Sequence, residues 1–320
     1  MNLIDMHCDT VMQLFHRKGR ENLKDNQFGI SIPRMRKAGT LAQFFACFTC
    51  VEEYKDQGGF DTCYDRVLEM IALFEKQMNL FPGDIAQART YEEIMENKKQ
   101  EKISAVLTVE EGGVLNGEME RLDFLYQKGV RLITLMWNYE NCLGYPNSRD
   151  QNVMQKGLTS FGSDVVRRMG ELGMIVDVSH ASDGSFYDVL GNARGPVVAS
   201  HSNCRALCSH PRNLTDEMIR DLANAGGVAG LNFYGAFLGT KDASLLEEMT
   251  AHVQHMVRVG GSDFPAIGTD FDGFDGMKHL DIPDASHMEK LWDALKKSGL
   301  SERQLDKIWS ENVLRIFRSI

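Results

Sequence analysis

Eight short apolar runs, separated in most cases by helical patterns, constrain this sequence more than any other feature. They fall at 1–7, 39–48, 103–109, 130–136, 174–179, 196–200, 227–233 and 266–269. Apolar residues at helical spacing mark helices over 63–80, 91–102, 119–128, 159–172, 185–190, 213–225 and 245–259, and over most of 285–317. Thr215 or Asn213 has the side chain to cap the helix that ends near Ala225. Short buried strands joined by crossover helices make a parallel sheet. Eight of them in 320 residues favour an α/β fold of the closed (β/α)8 TIM-like barrel type over an open doubly wound sheet. No internal repeat, low-complexity tract or Pro/Ser-rich linker divides the chain, so 1–320 reads as a single barrel domain.

Charge and cysteine usage narrow the function classes. A formal net charge of -10 excludes a broad nucleic-acid surface and is compatible with binding divalent cations. The seven cysteines (Cys8, Cys47, Cys50, Cys63, Cys142, Cys204, Cys208) are odd in number and form no regular framework, which reads as reduced thiols in a cytoplasmic protein. Cys47 and Cys50 have the spacing of a zinc or redox pair but lack a second pair to complete one. Asp5, His7 and Asp9 interrupt the N-terminal run at once, and no apolar run reaches about 18 residues. A secretory leader, a membrane span and a membrane partner are therefore not expected.

The informative pattern is where ionisable residues fall. The first strand ends in His7-Cys8-Asp9, the third in Glu110-Glu111, the fifth at His180, the sixth at His201 and the eighth at Asp270. Each is a C-terminal strand end, the catalytic face of a barrel. A lone His-x-Asp is too short to mean anything, and a lone histidine after a strand is usually a hydrogen-bonded structural residue. Five strands ending in potential ligands are another matter. Strand alternation predicts His7 and Asp9 on one face with Cys8 turned away. Carboxylates converging at one mouth repel unless a cation neutralises them, and imidazole with carboxylate suits zinc or a similar first-row ion. His252 and His255, three apart on a helix, read as ordinary exposed residues.

Taken together, these residues resemble the membrane (renal) dipeptidase family of zinc peptidases, within the wider amidohydrolase-like barrels. The resemblance runs from His7 to about Phe317. It is carried by Asp5-Met6-His7-Cys8-Asp9, Val109-Glu110-Glu111-Gly112-Gly113, the Gly129 to Leu135 segment, Val178-Ser179-His180, Ser200-His201-Ser202, Pro211-Arg212-Asn213-Leu214, Asn232-Phe233-Tyr234 and the Gly268 to Gly273 segment. It implies two zinc ions bridged by a glutamate. His7, Asp9 and the bridge would hold one ion; the bridge, His180 and His201 would hold the other. Counted without a gap from Gly129, the bridge falls on Glu110, leaving Glu111 a supporting or turn role. The resemblance also implies hydrolysis of small unblocked dipeptides by a metal-activated water, with Asp270 moving the proton and Arg212 gripping the substrate's C-terminal carboxylate. Tyr234 would line the pocket, and family analogy suggests a homodimer.

The chain departs from the family at one point. Where relatives often carry a histidine after the Leu-Thr segment, the ungapped counterpart is Trp137, followed by Asn138. Tryptophan does not titrate and offers one N–H. Oxyanion stabilisation then rests more on the metals, or Asn138 supplies a donor, or the substrate differs. The alternatives are an amidohydrolase acting on another small amide, such as an N-acyl amino acid, and a metal-bound barrel without catalysis. His7-x-Asp9, in place of His-x-His, and Glu110 favour the dipeptidase branch.

Overall fold

The computed structural model describes residues 2–320. Eight parallel strands close on themselves: β1 (Leu3–Asp5), β2 (Thr40–Phe48), β3 (Ile103–Glu110), β4 (Val130–Thr134), β5 (Ile175–Asp177), β6 (Val197–Ala199), β7 (Val228–Leu231) and β8 (Pro265–Ile267). Closure is made by β1, which pairs with β2 through Ile4 and Ala42 and with β8 through Asp5 and Ile267. A further short strand, Ile85–Gln87, pairs with the start of β3. Each of the eight expected runs is one barrel strand, and no helix among the described residues is long and apolar enough to cross a membrane. The first run was expected to span 1–7. Met1 lies outside the described residues, and the strand ends at Asp5, so His7 and Asp9 sit just beyond it.

Period-two alternation fills the barrel. On β3, Val106 and Thr108 share the face of Glu110. Ile4, Phe44, Val106, Leu132, Ile175, Val198, Val228 and Ala266, one from each strand, form a single buried apolar cluster. The C-terminal helix Asn312–Phe317 closes this cluster from below with Val313, Ile316 and Phe317, the last edge to face with Phe44 at 5.8 Å. Asn312 ties that helix down by donating to the carbonyls of Pro265 and Ser262. A larger apolar cluster lies between strands and the surrounding helices.

Helix starts follow their capping chemistry. Thr215, rather than Asn213, caps Asp216–Asn224 by accepting from the Met218 N–H at 3.1 Å, and Thr159 caps Ser160–Leu172 in the same way. Two helices, Thr10–His16 and Ile32–Ala38, lie in stretches where no helix is expected from the sequence; at seven residues each they are too short to show a periodic stripe. His252 and His255 are buried, not exposed. His252 accepts from the Cys204 N–H and donates to the Leu238 carbonyl, and His255 pairs with Asp216 at 2.6 Å. All seven cysteines are free thiols, and Cys8 is buried with its Sγ toward the Phe44 carbonyl.

Candidate metal centre and active site

At the C-terminal mouth of the barrel, six side chains that belong to distant stretches of sequence come within bonding range of one ion or two. His7 Nε2 lies 3.3 Å from Asp9 Oδ2, 3.3 Å from Glu110 Oε2 and 3.7 Å from Asp270 Oδ1. His180 Nε2 and His201 Nε2 stand 3.2 and 3.4 Å from Glu110 Oε1 and 3.2 Å from each other. Glu110 is thus shared by two ligand groups, one with His7 and Asp9 and one with His180 and His201; a third group joins His7, His201 and Asp270.

The arrangement fits a metal better than it fits hydrogen bonding. Ligand atoms about 2.0–2.2 Å from a tetrahedral ion stand about 3.3–3.5 Å apart, which is the spacing seen here. Glu110 Oε1, Asp9 Oδ1 and His7 Nδ1 are buried with no hydrogen-bond partner. Orphaned polar atoms are costly when buried, and Glu110 Oε1 faces His180 and His201 across a gap that an ion would fill. Imidazole nitrogens with carboxylate oxygens are a donor set for zinc and its first-row neighbours.

Electrostatics prepare the ligands. Burial opposes the charge on Glu110, but His7 and the adjacent His180 and His201 rings hold its carboxyl well below the usual range. Burial pushes His180 down to about 4, helped by the Arg212 cation, and pushes His201 well below its ordinary value in the same way. Both imidazoles are therefore neutral near pH 7, the form that binds a metal. Burial would also lower His7, yet Glu110 and Asp9 raise it well above 6.5. Burial raises Asp270 to about 7, with His7 opposing and Asp9 and Glu110 adding to the rise.

The Nδ1 atoms of His180 and His201 are held by neighbours, which aims their Nε2 atoms at the centre. His201 Nδ1 lies 2.7 Å from Ser200 Oγ, which donates to Asp177 Oδ2 at 2.6 Å. Asp177 also accepts from Thr134 Oγ1 and from the Ser179 and Ser200 N–H groups. His180 Nδ1 lies 3.1 Å from Asn138 Oδ1. Asn232 donates to Asp270 Oδ2 at 2.9 Å. Asp177, Ser200 and Asn232 are given no role from the sequence, although Ser200 and Asn232 lie in segments that carry the resemblance. The signal was a polar residue inside or just after an apolar strand, as in Val176-Asp177-Val178.

Backbone strain concentrates here as well. His180, Asp270, Asp272 and Glu111 all take left-handed φ values, between 63° and 94°. Gly273 follows them, and a Cβ there would stand 2.2 Å from Asp9 Oδ2, so only glycine lets the loop close over the ligands. Asp272 anchors that loop by accepting from Thr10 Oγ1 and the Gly29 N–H.

Glu111 turns away from the cluster. Burial pushes its carboxyl up to about 7, and it accepts from Asn141 Nδ2 at 2.6 Å and from the N–H groups of Gly113 and Trp137. It therefore fixes the loop that carries Trp137 and Asn138. These two line a cavity of about 520 Å³ together with Asp9, Glu110, His180, Asp270 and Tyr234. Tyr234 stacks on Phe274 at 5.4 Å. Asn138 turns its Oδ1 to His180, so it acts first as a support for that ring. Arg212 is buried and pairs with no carboxylate. It donates to Ser202 Oγ at 2.5 Å and to the His201 carbonyl at 2.8 Å, while its Nε is buried without a partner. It is not among the described residues lining the cavity, but its guanidinium sits 5.6 Å from the ring of Phe237, which is.

Comparison with known proteins agrees with this architecture. A family model described as membrane dipeptidase, peptidase family M19, matches residues 1–320. A protein from the pqqA 5′ region of Klebsiella pneumoniae, itself uncharacterised, is 35% identical over 237 residues, covering 71% of this chain and 86% of its own. An uncharacterised dipeptidase of Schizosaccharomyces pombe is 28% identical over 294 residues, covering 89% of this chain and 70% of its own. In fold, the chain is similar to a metallo peptidase from Rhodobacter sphaeroides liganded with a phosphinate mimic of the dipeptide L-Ala-D-Ala. The TM-score is 0.89 at 23% identity, over 100% of this chain and 99% of that one.

Proposed function

The chain belongs to the membrane dipeptidase family, and on that premise we propose that it hydrolyses small unblocked dipeptides with two zinc ions held at the barrel mouth. The observation that carries this reading is Glu110, one buried carboxylate shared between two ligand groups. His7 and Asp9 would complete the first site, His180 and His201 the second. When bound, such ions bring the pKa of a water toward neutrality and polarise a carbonyl oxygen.

The remaining steps belong to the chain's own groups. Asp270 takes the proton of the attacking water and delivers it to the leaving amine; its Oδ1 stands 3.7 Å from His7 Nε2, at the edge of the ligand cluster. Asn232 holds Oδ2 of that carboxylate and so fixes which oxygen faces the centre. Arg212 has five N–H donors, of which Ser202 and the His201 carbonyl use two, leaving others for a terminal carboxylate. Its cation is buried beside the site, and a carboxylate there would compensate the burial that lowers it to about 10. A cavity of about 520 Å³ has room for a small-molecule substrate such as a dipeptide. The Rhodobacter sphaeroides neighbour, with its dipeptide mimic, supports the same substrate class. Tyr234, Trp137 and Asn138 would form the walls around that substrate. Cytoplasmic location and a homodimer complete the proposal; the seven free thiols support the first.

The test is a paired assay of zinc-reconstituted protein on unblocked dipeptides and on N-acyl amino acids. Turnover of the dipeptides is expected. Cleavage confined to the acyl compounds would transfer the site to another small amide.

A further inference from the structure

Arg212 and Glu53 are opposite charges on opposite sides of the barrel mouth. Arg212 follows β6 and Glu53 follows β2, four strands away in an eight-strand ring, so they stand on opposite sides of one opening. Glu53 lines the cavity beside Met12, Phe48 and Trp137. Phe48 and Trp137 meet edge to face at 4.9 Å and make an aromatic wall. Met12, Phe48 and Glu53 also line a small recess that leads off this side. The Glu53 carboxylate forms no ion pair among the described residues. Nearby Lys55 pairs with Glu52, and Arg66, which borders the recess, pairs with Glu69 at 2.7 Å.

An unpaired carboxylate at the end of an apolar and aromatic wall complements one kind of side chain. A long aliphatic stem lies along the wall, and a cationic head reaches the carboxylate and an aromatic face. We infer that the site selects dipeptides with lysine or arginine as the amino-terminal residue, and that Glu53 is the residue that reads this side chain. The inference rests on the dipeptidase reading above. With Arg212 holding the carboxy terminus, the amino-terminal residue falls on the opposite side of the mouth, where Glu53 stands. Arg66 does not cancel the carboxylate, because Glu69 already engages it.

The experiment measures kcat/KM for Lys-Ala, Arg-Ala, norleucyl-Ala and Glu-Ala on the zinc-loaded protein and on the Glu53→Gln and Glu53→Lys variants. Glu53 is exposed, so neither change disturbs the core. Norleucine keeps the lysine stem and lacks the charge. The wild type should prefer Lys-Ala over norleucyl-Ala by about threefold to tenfold, the scale of one exposed ion pair with a cation–aromatic contact. That ratio should shrink as salt is raised, fall to about one in Glu53→Gln, and give way to a preference for Glu-Ala in Glu53→Lys. Hydrolysis of all four peptides with a lysyl to norleucyl ratio near one, or a ratio unmoved in Glu53→Gln, overturns this inference and leaves the dipeptidase reading standing. If none of the four nor Ala-Ala is cleaved, the dipeptidase reading falls and this inference falls with it.

Discussion

The two ends of the barrel solve the same problem in opposite ways. At the foot, Val313, Ile316 and Phe317 plug an apolar interior, and several charged side chains around them are ion-paired or hydrogen-bonded. Lys307 meets Asp263 at 2.7 Å, Arg303 meets Glu311, Arg315 donates to the Asp263 carbonyl and Arg318 to Tyr91 Oη. At the mouth, Glu110 Oε1, Asp9 Oδ1 and His7 Nδ1 are buried without partners. Four of the seven left-handed non-glycine residues among the described residues lie in the loops there. The foot even has the larger depression, about 650 Å³ against about 520 Å³. Cavity size therefore does not locate the chemistry. A convergence of buried ionisable groups without partners on strained backbone does, because a fold tolerates it only where something else compensates.

The sharpest way to break this contrast is at Asp270. Asp270→Asn should lower kcat by about 10²- to 10⁴-fold, the range for losing a general acid–base, while metal content stays at the wild-type level. Unchanged turnover would remove Asp270 from the proton transfer and leave it a candidate ligand beside His7 and His201.

Next comes the support for the ligands. Asp177→Asn and Ser200→Ala should each weaken metal binding by about 10- to 100-fold, and excess zinc should restore activity. Loss of activity that zinc does not restore would give these residues a role beyond orienting His201. Cys8→Ala, beside the ligands but facing the Phe44 carbonyl, should keep the metal that His7→Ala loses.

A smaller effect is read in protons. In the metal-free protein His7 is held well above its ordinary value and Asp270 near 7, so both carry protons around neutral pH that a cation must displace. Raising pH through about 7 removes the competing proton from Asp270, so apparent zinc affinity should rise across that window. Lowering pH should reduce it further as His7, His180 and His201 all hold protons. Calorimetry of zinc binding in buffers of different ionisation heat should show net proton release near pH 7. Release of no protons would contradict the charge states described for the cluster.

The smallest effect belongs to the foot. Lys307→Ala removes a partly exposed pair and should cost no more than about 1 kcal/mol in unfolding free energy, with kcat/KM and metal content unmoved. A loss of activity there would mean that the two ends are coupled.

The barrel was legible because its signal is local: eight apolar runs with helices between most of them map one to one onto eight strands. So was the set of residues that meet at the mouth, because in a parallel barrel every C-terminal strand end faces one side. His7 and Asp9 arrive there for a reason alternation does not supply, since β1 stops at Asp5 and the chain turns before them. What the sequence hides is lateral. Asp177 receives Thr134 from one neighbouring strand and Ser200 from the other, and that depends on register between segments tens of residues apart. His252 and His255 are hidden in the same way: their helix looks amphipathic from its own residues, but His255 meets Asp216 of the helix Asp216–Asn224, and His252 bonds the Cys204 N–H and the Leu238 carbonyl. Arg212 is expected from the sequence to meet a substrate carboxylate, but its burial and the seating of its fork on Ser202 and the His201 carbonyl depend on the fold around it.

The most direct test of the account is metal content per chain, measured by elemental analysis after zinc loading and removal of free ion, in the wild type and in Glu110→Gln. The account predicts two zinc ions per wild-type chain and at most one in the variant, because Glu110 is the carboxylate that both ligand groups share. One ion or none in the wild type, or two retained in Glu110→Gln, would contradict it.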